Sequence, residues 1–194
     1  MSDAEGPKCP FGFDGEREMT YGARHAAMPS AMPRAQLPRM VEQPIEEGED
    51  DLRTGRCLCG AVSYAIETPA EKVFANYDDV TLRWTGGVGL TLMLRATSMR
   101  FHGWGNLVQY ASSDRARNCF CRLCGSSLFV RHVAPVEMDG MISLSAGTLD
   151  DLSGLKLAAE TYFDKKPDLF TLEGAHRRLS EAEIEASFGG GQTR

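Results

Sequence analysis

Two pairs of closely spaced cysteines are the residues of this sequence best suited to chemistry. Cys57 and Cys59 form a C-x-C-G motif, Cys121 and Cys124 form a C-x-x-C-G motif, and 61 residues separate Cys59 from Cys121. A glycine directly after each pair permits the tight backbone turn that directs two sulfur atoms to one place. Because a closed structural zinc site takes four ligands, the two pairs supply a complete set. The spacing predicts one structural zinc ion held by four thiolates; the alternative is two unlinked pairs of buried or redox-active thiols.

The other two of the six cysteines have weaker contexts. Cys119 lies two residues before Cys121, so in a strand both side chains share one face. It could serve as a spare ligand or a reactive thiol, or it could be a small buried apolar residue. Cys9 precedes a proline and has no visible partner in the sequence, so no role is assigned to it.

The composition predicts a cytoplasmic protein without a membrane span. The chain of 194 residues is 42% hydrophobic, and it contains no run of about 18 apolar residues. Its first residues, MSDAEGPKCPFGFDGE, lack the apolar segment of a secretion signal. In a reducing compartment, cysteines are expected as thiols or metal ligands rather than as disulfides.

Acidic residues are concentrated at the start of the chain. Residues 1–50 contain five Lys/Arg and ten Asp/Glu, a net charge of −5 out of −6, and six of the nine prolines. This composition predicts either a disordered leader or an extended arm whose Met, Leu and Phe side chains pack on a surface, its own or a partner's. Self-association or a protein partner is therefore expected at this arm. A nucleic-acid partner is excluded by the lack of a basic stretch.

The remainder of the chain predicts a mainly β domain over residues 51–178, followed by a helix and tail over 179–194. Short apolar or β-branched segments separated by Gly, Asp or Ser are typical of antiparallel strands joined by turns. These segments are 56–66, 90–95, 98–102, 107–111, 127–133 and 141–146. A capping box of Ser180 and Glu183 marks the start of one short C-terminal helix, and Gly189 is expected to end it.

Four segments in consistent order resemble the glutathione-dependent formaldehyde-activating enzyme family, to which centromere protein V also belongs. They are GRCLCGAVSY (55–64), FCRLCGSSLFVR (120–131), ISLSAGTLDD (142–151) and YFDKKPDLF (162–170). The resemblance covers about residues 53–175. It implies a zinc-bound, mostly antiparallel β-tent fold and carbon–sulfur lyase activity on S-hydroxymethylglutathione, the adduct of formaldehyde and glutathione. It also implies that Cys57, Cys59, Cys121 and Cys124 are the structural zinc ligands.

The resemblance further implies a second, catalytic zinc site with the motif C-H-C-x-x-C, expected near residues 73–86. Here Asn76, Asp78 and Thr81 stand in place of the three cysteines, and Tyr77 stands in place of the histidine. Thiolates bind zinc tightly, whereas an amide, a carboxylate and a hydroxyl suit Mg²⁺, Ca²⁺ or Mn²⁺. The expectation is that the catalytic zinc site is lost, whereas the binding of glutathione stays open. The alternatives are an oxygen-ligand metal at 76–81 and a retained lyase.

Other residues could take part in chemistry but have ordinary structural explanations. His102 and His132 could act as general bases, or as surface or hydrogen-bonded side chains. Tryptophans could line a pocket or fill the core, and the carboxylates of the GTLDD segment could act as acid and base or cap a turn. These residues are Trp84, Trp104, Asp150 and Asp151. His25, His176 and the Arg177–Arg178 pair have contexts that favour no function.

Overall fold

The computed structural model describes residues 41–42 and 52–189. Of the predicted N-terminal arm, residues 1–50, only Val41–Glu42 is described; the rest, with Cys9 and His25, lies outside the described residues. Its role and the domain boundaries therefore stay predictions. Within the described part, no helix is both long and apolar enough to cross a membrane.

The predicted mainly β class is confirmed by twelve strands and two α-helices in the described residues. The strands are β1 (Val41–Glu42), β2 (Arg53–Arg56), β3 (Ser63–Ile66), β4 (Lys72–Asn76), β5 (Gly89–Arg95), β6 (Met99–His102), β7 (Leu107–Ala111), β8 (Ala116–Cys121), β9 (Ser127–His132), β10 (Met141–Ser145), β11 (Lys156–Thr161) and β12 (Arg177–Leu179). The helices are α1 (Asp79–Thr85) and α2 (Glu181–Gly189). Short 3₁₀ turns join several of these elements.

The strands form two open sheets that enclose the core. The smaller sheet has the order β1-β6-β3-β2, and the larger has the order β12-β11-β4-β5-β10-β9-β8-β7. Aromatic rings join the two sheets across the core: Phe101 of β6 lies 5.7 Å from the Tyr64 ring and 5.2 Å from the Phe129 ring, centroid to centroid. All three side chains are buried. Burial of apolar surface between the sheets therefore fixes their relative position.

Most strand pairs are antiparallel, as predicted, but three pairs are parallel. β1 pairs with β6, β4 with β11, and β11 with β12 in parallel. Parallel neighbours are separated by long stretches of sequence, so a pattern of local turns does not reveal them. The segment 56–66, predicted as one extended element, is divided into β2 and β3 by the first cysteine turn.

The C-terminal helix begins one residue after its predicted cap. The Glu183 carboxylate accepts hydrogen bonds from the Ser180 amide at 2.8 Å and from its hydroxyl at 2.7 Å. The Glu183 amide in turn donates to the Ser180 hydroxyl at 3.4 Å, so the predicted capping box is present. The helix includes Gly189, which was expected to lie just beyond it.

Candidate metal centre and the loop of the second site

The two cysteine motifs lie in turns that the sheets bring face to face. Cys57 and Cys59 occupy the turn between β2 and β3, while Cys121 ends β8 and Cys124 lies in the turn to β9. All four sulfur atoms lie within 4.8 Å of one another. The Cys57 and Cys59 sulfurs are 3.6 Å apart, and those of Cys59 and Cys121 are 3.9 Å apart. The structure thus joins the two pairs that the sequence places 61 residues apart.

Both turns use the glycine that follows the second cysteine. Gly60 and Gly125 each have a φ of +75°, in the left-handed region that glycine adopts without the steric cost of a Cβ. Each glycine amide donates back to the carbonyl of the first cysteine in its motif: Gly60 to Cys57 at 3.0 Å and Gly125 to Cys121 at 2.8 Å. The predicted role of the glycines is therefore confirmed in both motifs.

Hydrogen bonds and burial give the sulfur atoms different proton affinities. At Cys57, burial raises the pKa, but hydrogen bonds from the Val62 amide and from neighbouring thiols outweigh it, so the net pKa is lowered. At Cys124, the Ser126 hydroxyl and amide lower the pKa to about 5. At Cys59, the Ala61 amide lowers the pKa, but the Cys57 thiol, burial and the other two thiols together raise it to about 11. Two sulfurs thus favour the thiolate form that a metal ion requires.

The sulfur quartet fits a metal ion. Among the described residues, it is the one group of three or more His, Cys, Asp and Glu side chains whose ligand atoms converge. Four sulfur donors are the ligand set that structural zinc prefers. The Val62 amide donates to the Cys57 sulfur at 3.3 Å, as expected where backbone donors orient a thiolate ligand. These cysteines could therefore hold a metal ion.

Cys119 does not join this cluster. Its side chain is fully buried in the core, and its thiol donates to the Arg117 carbonyl at 3.6 Å. Burial raises the pKa of the Cys119 thiol, which favours the neutral form. Of the roles considered for it, that of a small buried apolar residue fits the structure best.

Residues 76–81 form the start of α1, and their polar side chains bond to the loop itself. Asp78 is the N-cap: one carboxylate oxygen accepts from the Val80 amide at 2.9 Å and the Thr81 amide at 3.0 Å. Its other oxygen accepts from the Thr81 hydroxyl at 2.5 Å. The Asn76 side-chain oxygen accepts from the Asp78 amide at 2.9 Å. Asn76, Asp78 and Thr81, the side chains expected in place of cysteines, therefore bond to one another and to the backbone at a helix terminus.

Tyr77 points into a buried polar network. Its hydroxyl donates to one Glu160 carboxylate oxygen at 2.5 Å. The other oxygen accepts from His176 at 2.6 Å and from Arg178 at 3.1 Å. The Glu160 side chain is 0% exposed and that of His176 is 2% exposed. This network fastens the start of the loop to β11 and to the residues around β12.

A lysine fastens the other side of the loop. The Lys165 ammonium lies 3.3 Å from Asp79 at the start of α1 and 2.7 Å from Glu181 at the start of α2. The Asp164 carboxylate accepts from the Glu181 amide at 2.8 Å, which adds a second tie to α2. Segment 162–170 thus holds both helices, although the resemblance alone gave it no structural role.

The remaining candidates have structural partners. Burial lowers the pKa of His132, whose imidazole lies 2.8 Å from the Ser143 hydroxyl, while His102 is exposed. Asp150 accepts from Thr54 at 3.0 Å and pairs with Arg56 at 3.1 Å, and Asp151 accepts from the Ser153 amide at 2.8 Å. Asp151 therefore stabilises a local turn, as expected, whereas Asp150 links the segment after β10 to β2.

The two tryptophans pack differently. Trp84 of α1 is half-buried, stacks on Tyr110 at 5.8 Å and donates to the Ser127 hydroxyl at 2.8 Å. Trp104 packs 5.2 Å from the Phe101 ring at the margin of the core. Trp84 therefore fixes α1 against the strands that carry the second cysteine motif, whereas Trp104 contributes to apolar packing.

Comparison with known proteins places the chain in a family. A search of curated proteins finds no match. The family model for the glutathione-dependent formaldehyde-activating enzyme matches residues 52–165, which is more than half of the chain and includes all four clustered cysteines. The chain therefore belongs to the glutathione-dependent formaldehyde-activating enzyme family.

Proposed function

We propose that this chain is a zinc-binding member of the family that has kept the structural zinc site and lost the catalytic one. Cys57, Cys59, Cys121 and Cys124 hold one zinc ion, and the fold depends on that ion. The carbon–sulfur lyase reaction on S-hydroxymethylglutathione is not catalysed, because residues 76–81 do not hold a second zinc.

The main observation behind this proposal is that the Asp78 carboxylate is hydrogen-bonded within its own loop. Both of its carboxylate oxygens already accept hydrogen bonds, three in total, from Val80 and Thr81. Three of the roughly four lone-pair positions of the carboxylate are therefore used, and a metal ion bound there would compete with the bonds that cap α1. Neither the Asp78 carboxylate nor the Thr81 hydroxyl is a soft ligand that would compensate with strong binding to zinc.

The lyase prediction is tested with the full, zinc-loaded chain. Formaldehyde and glutathione form their adduct spontaneously, and NMR exchange spectroscopy measures the rate of interconversion. The expected rate equals that of buffer with the same free zinc, because catalytic zinc chemistry needs a bound ion with an open coordination position. An acceleration that grows with protein concentration would contradict the loss of the catalytic site.

A second candidate function is a binding or assembly module that uses the N-terminal arm. Val41–Glu42 adds to the edge of the smaller sheet beside β6, with Val41 opposite Arg100 and Glu42 opposite Phe101. Val41–Glu42, within the predicted arm, is thus paired with the domain. Comparing the oligomeric state of the full chain with that of a chain lacking residues 1–38 tests self-association through the arm. Identical masses in solution would argue against it.

A further inference from the structure

The hydroxyl of Ser126 lies between the two cysteine turns and contacts both. Its oxygen accepts a hydrogen bond from the Leu58 amide at 3.0 Å, and Leu58 is the residue between Cys57 and Cys59. The same oxygen lies 3.2 Å from the Cys124 sulfur. Because a cysteine that binds a metal ion is deprotonated and can only accept, the hydroxyl proton is the one that donates to this sulfur in the metal-bound state.

We propose that Ser126 is a positioning residue that locks the two cysteine turns together and thereby sets the affinity of the metal centre. This inference rests on the proposed function, since it takes the cluster to be a zinc site. The hydroxyl acts through its neighbours: it holds the first turn by its backbone and orients the Cys124 sulfur of the second turn.

The backbone hydrogen bonds of each cysteine turn lie within that turn, so a separate contact is needed to hold the two turns together. The Cys57 amide donates to the Val62 carbonyl at 2.9 Å, and the Cys121 amide donates to the Ser126 carbonyl at 3.0 Å. These bonds fix the shape of each turn, but they do not fix one turn relative to the other.

Removing the hydroxyl has two physical consequences. The Leu58 amide loses its acceptor in the protein, and the Cys124 sulfur loses a donor that neutralises part of its negative charge. Outer-shell partners of this kind typically change metal affinity by about 10–100-fold when they are removed. The neighbouring Ser127 provides a matched control, because its hydroxyl accepts from the Trp84 indole at 2.8 Å rather than bonding to either cysteine turn.

The test measures the zinc affinity of the full chain and its S126A, S126T and S127A variants by competition with a colorimetric chelator. We expect S126A to bind zinc about 10–100-fold more weakly than the unmodified chain. S127A is expected to bind zinc with the affinity of the unmodified chain. S126T keeps the hydroxyl, so its zinc affinity is expected to be close to that value. The thiolate-to-cobalt absorption of the cobalt-loaded proteins should change in S126A but not in S127A.

Each outcome separates this inference from the proposed function. Unchanged zinc affinity and cobalt absorption in S126A would overturn the role of Ser126. An unmodified chain that binds no zinc would overturn the proposed function instead. If S126A does not fold, S126T decides: zinc affinity near that of the unmodified chain supports the role of the hydroxyl, and a loss of more than tenfold overturns it.

Discussion

Replacing Cys121 by alanine is expected to abolish stable zinc binding and with it the folded state of the domain. Cys121 is fully buried, and its sulfur belongs to the cluster in which all ligand atoms lie within 4.8 Å of one another. Structural zinc sites contribute about 10–16 kcal/mol of apparent binding energy that is coupled to folding. Whole domains are stable by only about 5–15 kcal/mol, so losing one of four ligands is expected to exceed the available stability.

Cys119 provides the matched control for this substitution. It lies two residues earlier in the same strand and is equally buried, but its thiol faces the core and bonds to the Arg117 carbonyl. Cys119→Ala should therefore cost only about 1 kcal/mol, as expected for a small core truncation, and should leave the zinc content unchanged. Elemental analysis and thermal unfolding followed by circular dichroism measure both effects. Equal zinc content and melting temperature in the two variants would contradict the metal-centre assignment.

Replacing Glu160 by alanine is expected to destabilise the domain by about 3–5 kcal/mol, the typical cost of breaking a buried ion pair. The substitution removes the acceptor of Tyr77, His176 and Arg178 at once. Tyr77→Phe removes only one of these hydrogen bonds and should cost about 1 kcal/mol. Denaturant unfolding of the three proteins measures the difference. A loss for Glu160→Ala no greater than that for Tyr77→Phe would show that the network does not fasten the loop.

The same network should make the unmodified chain sensitive to acid. Burial raises the pKa of Glu160, but hydrogen bonds from Tyr77, His176 and Arg178 outweigh it, so the pKa lies below its ordinary value of 4.5. The ionised carboxylate therefore contributes stability above that value, and the contribution is lost as the pH falls through the lowered pKa. Glu160→Gln, which cannot ionise, should lack this part of the pH dependence. Identical acid unfolding profiles for the two proteins would argue against it.

The cysteine turns could be predicted from sequence because their determinants are local. Spacing and a following glycine define each turn, and two pairs complete one ligand set, so the quartet follows without knowledge of the fold. The position of one turn relative to the other, in contrast, could not be predicted from local sequence. Ser126 contacts Leu58 across 68 residues of sequence, and nothing in the local pattern marks that serine as a link.

Strands that bury polar residues were missed for a physical reason. β8 contains buried Asn118, and β11 contains buried Glu160, so neither shows the alternation of apolar and polar residues that predicts a strand. Glu160 is tolerated in the interior because three donors from distant positions satisfy its carboxylate. Tyr77 and His176 lie 83 and 16 residues from Glu160 along the chain, so only the folded structure identifies them as partners.

For the loop at residues 76–81, the family resemblance and the structure give different information. The resemblance predicts that catalytic ligands are replaced in this loop, but it does not predict which contacts the residues there make. The structure adds that Asp78 caps α1 and that Asp79 pairs with Lys165, so these residues of the loop have structural partners. This local bonding supports the proposal that the loop is held without a second metal ion.

The most direct test of the central claim is the metal content of the purified full chain. The protein is loaded with excess zinc, freed of loosely bound metal by gel filtration and measured by elemental analysis against its concentration from amino-acid analysis. The account predicts one zinc ion per chain, which the Cys121→Ala variant loses. Two zinc ions per chain, one of them lost in Asp78→Ala, would contradict the proposed loss of the second site.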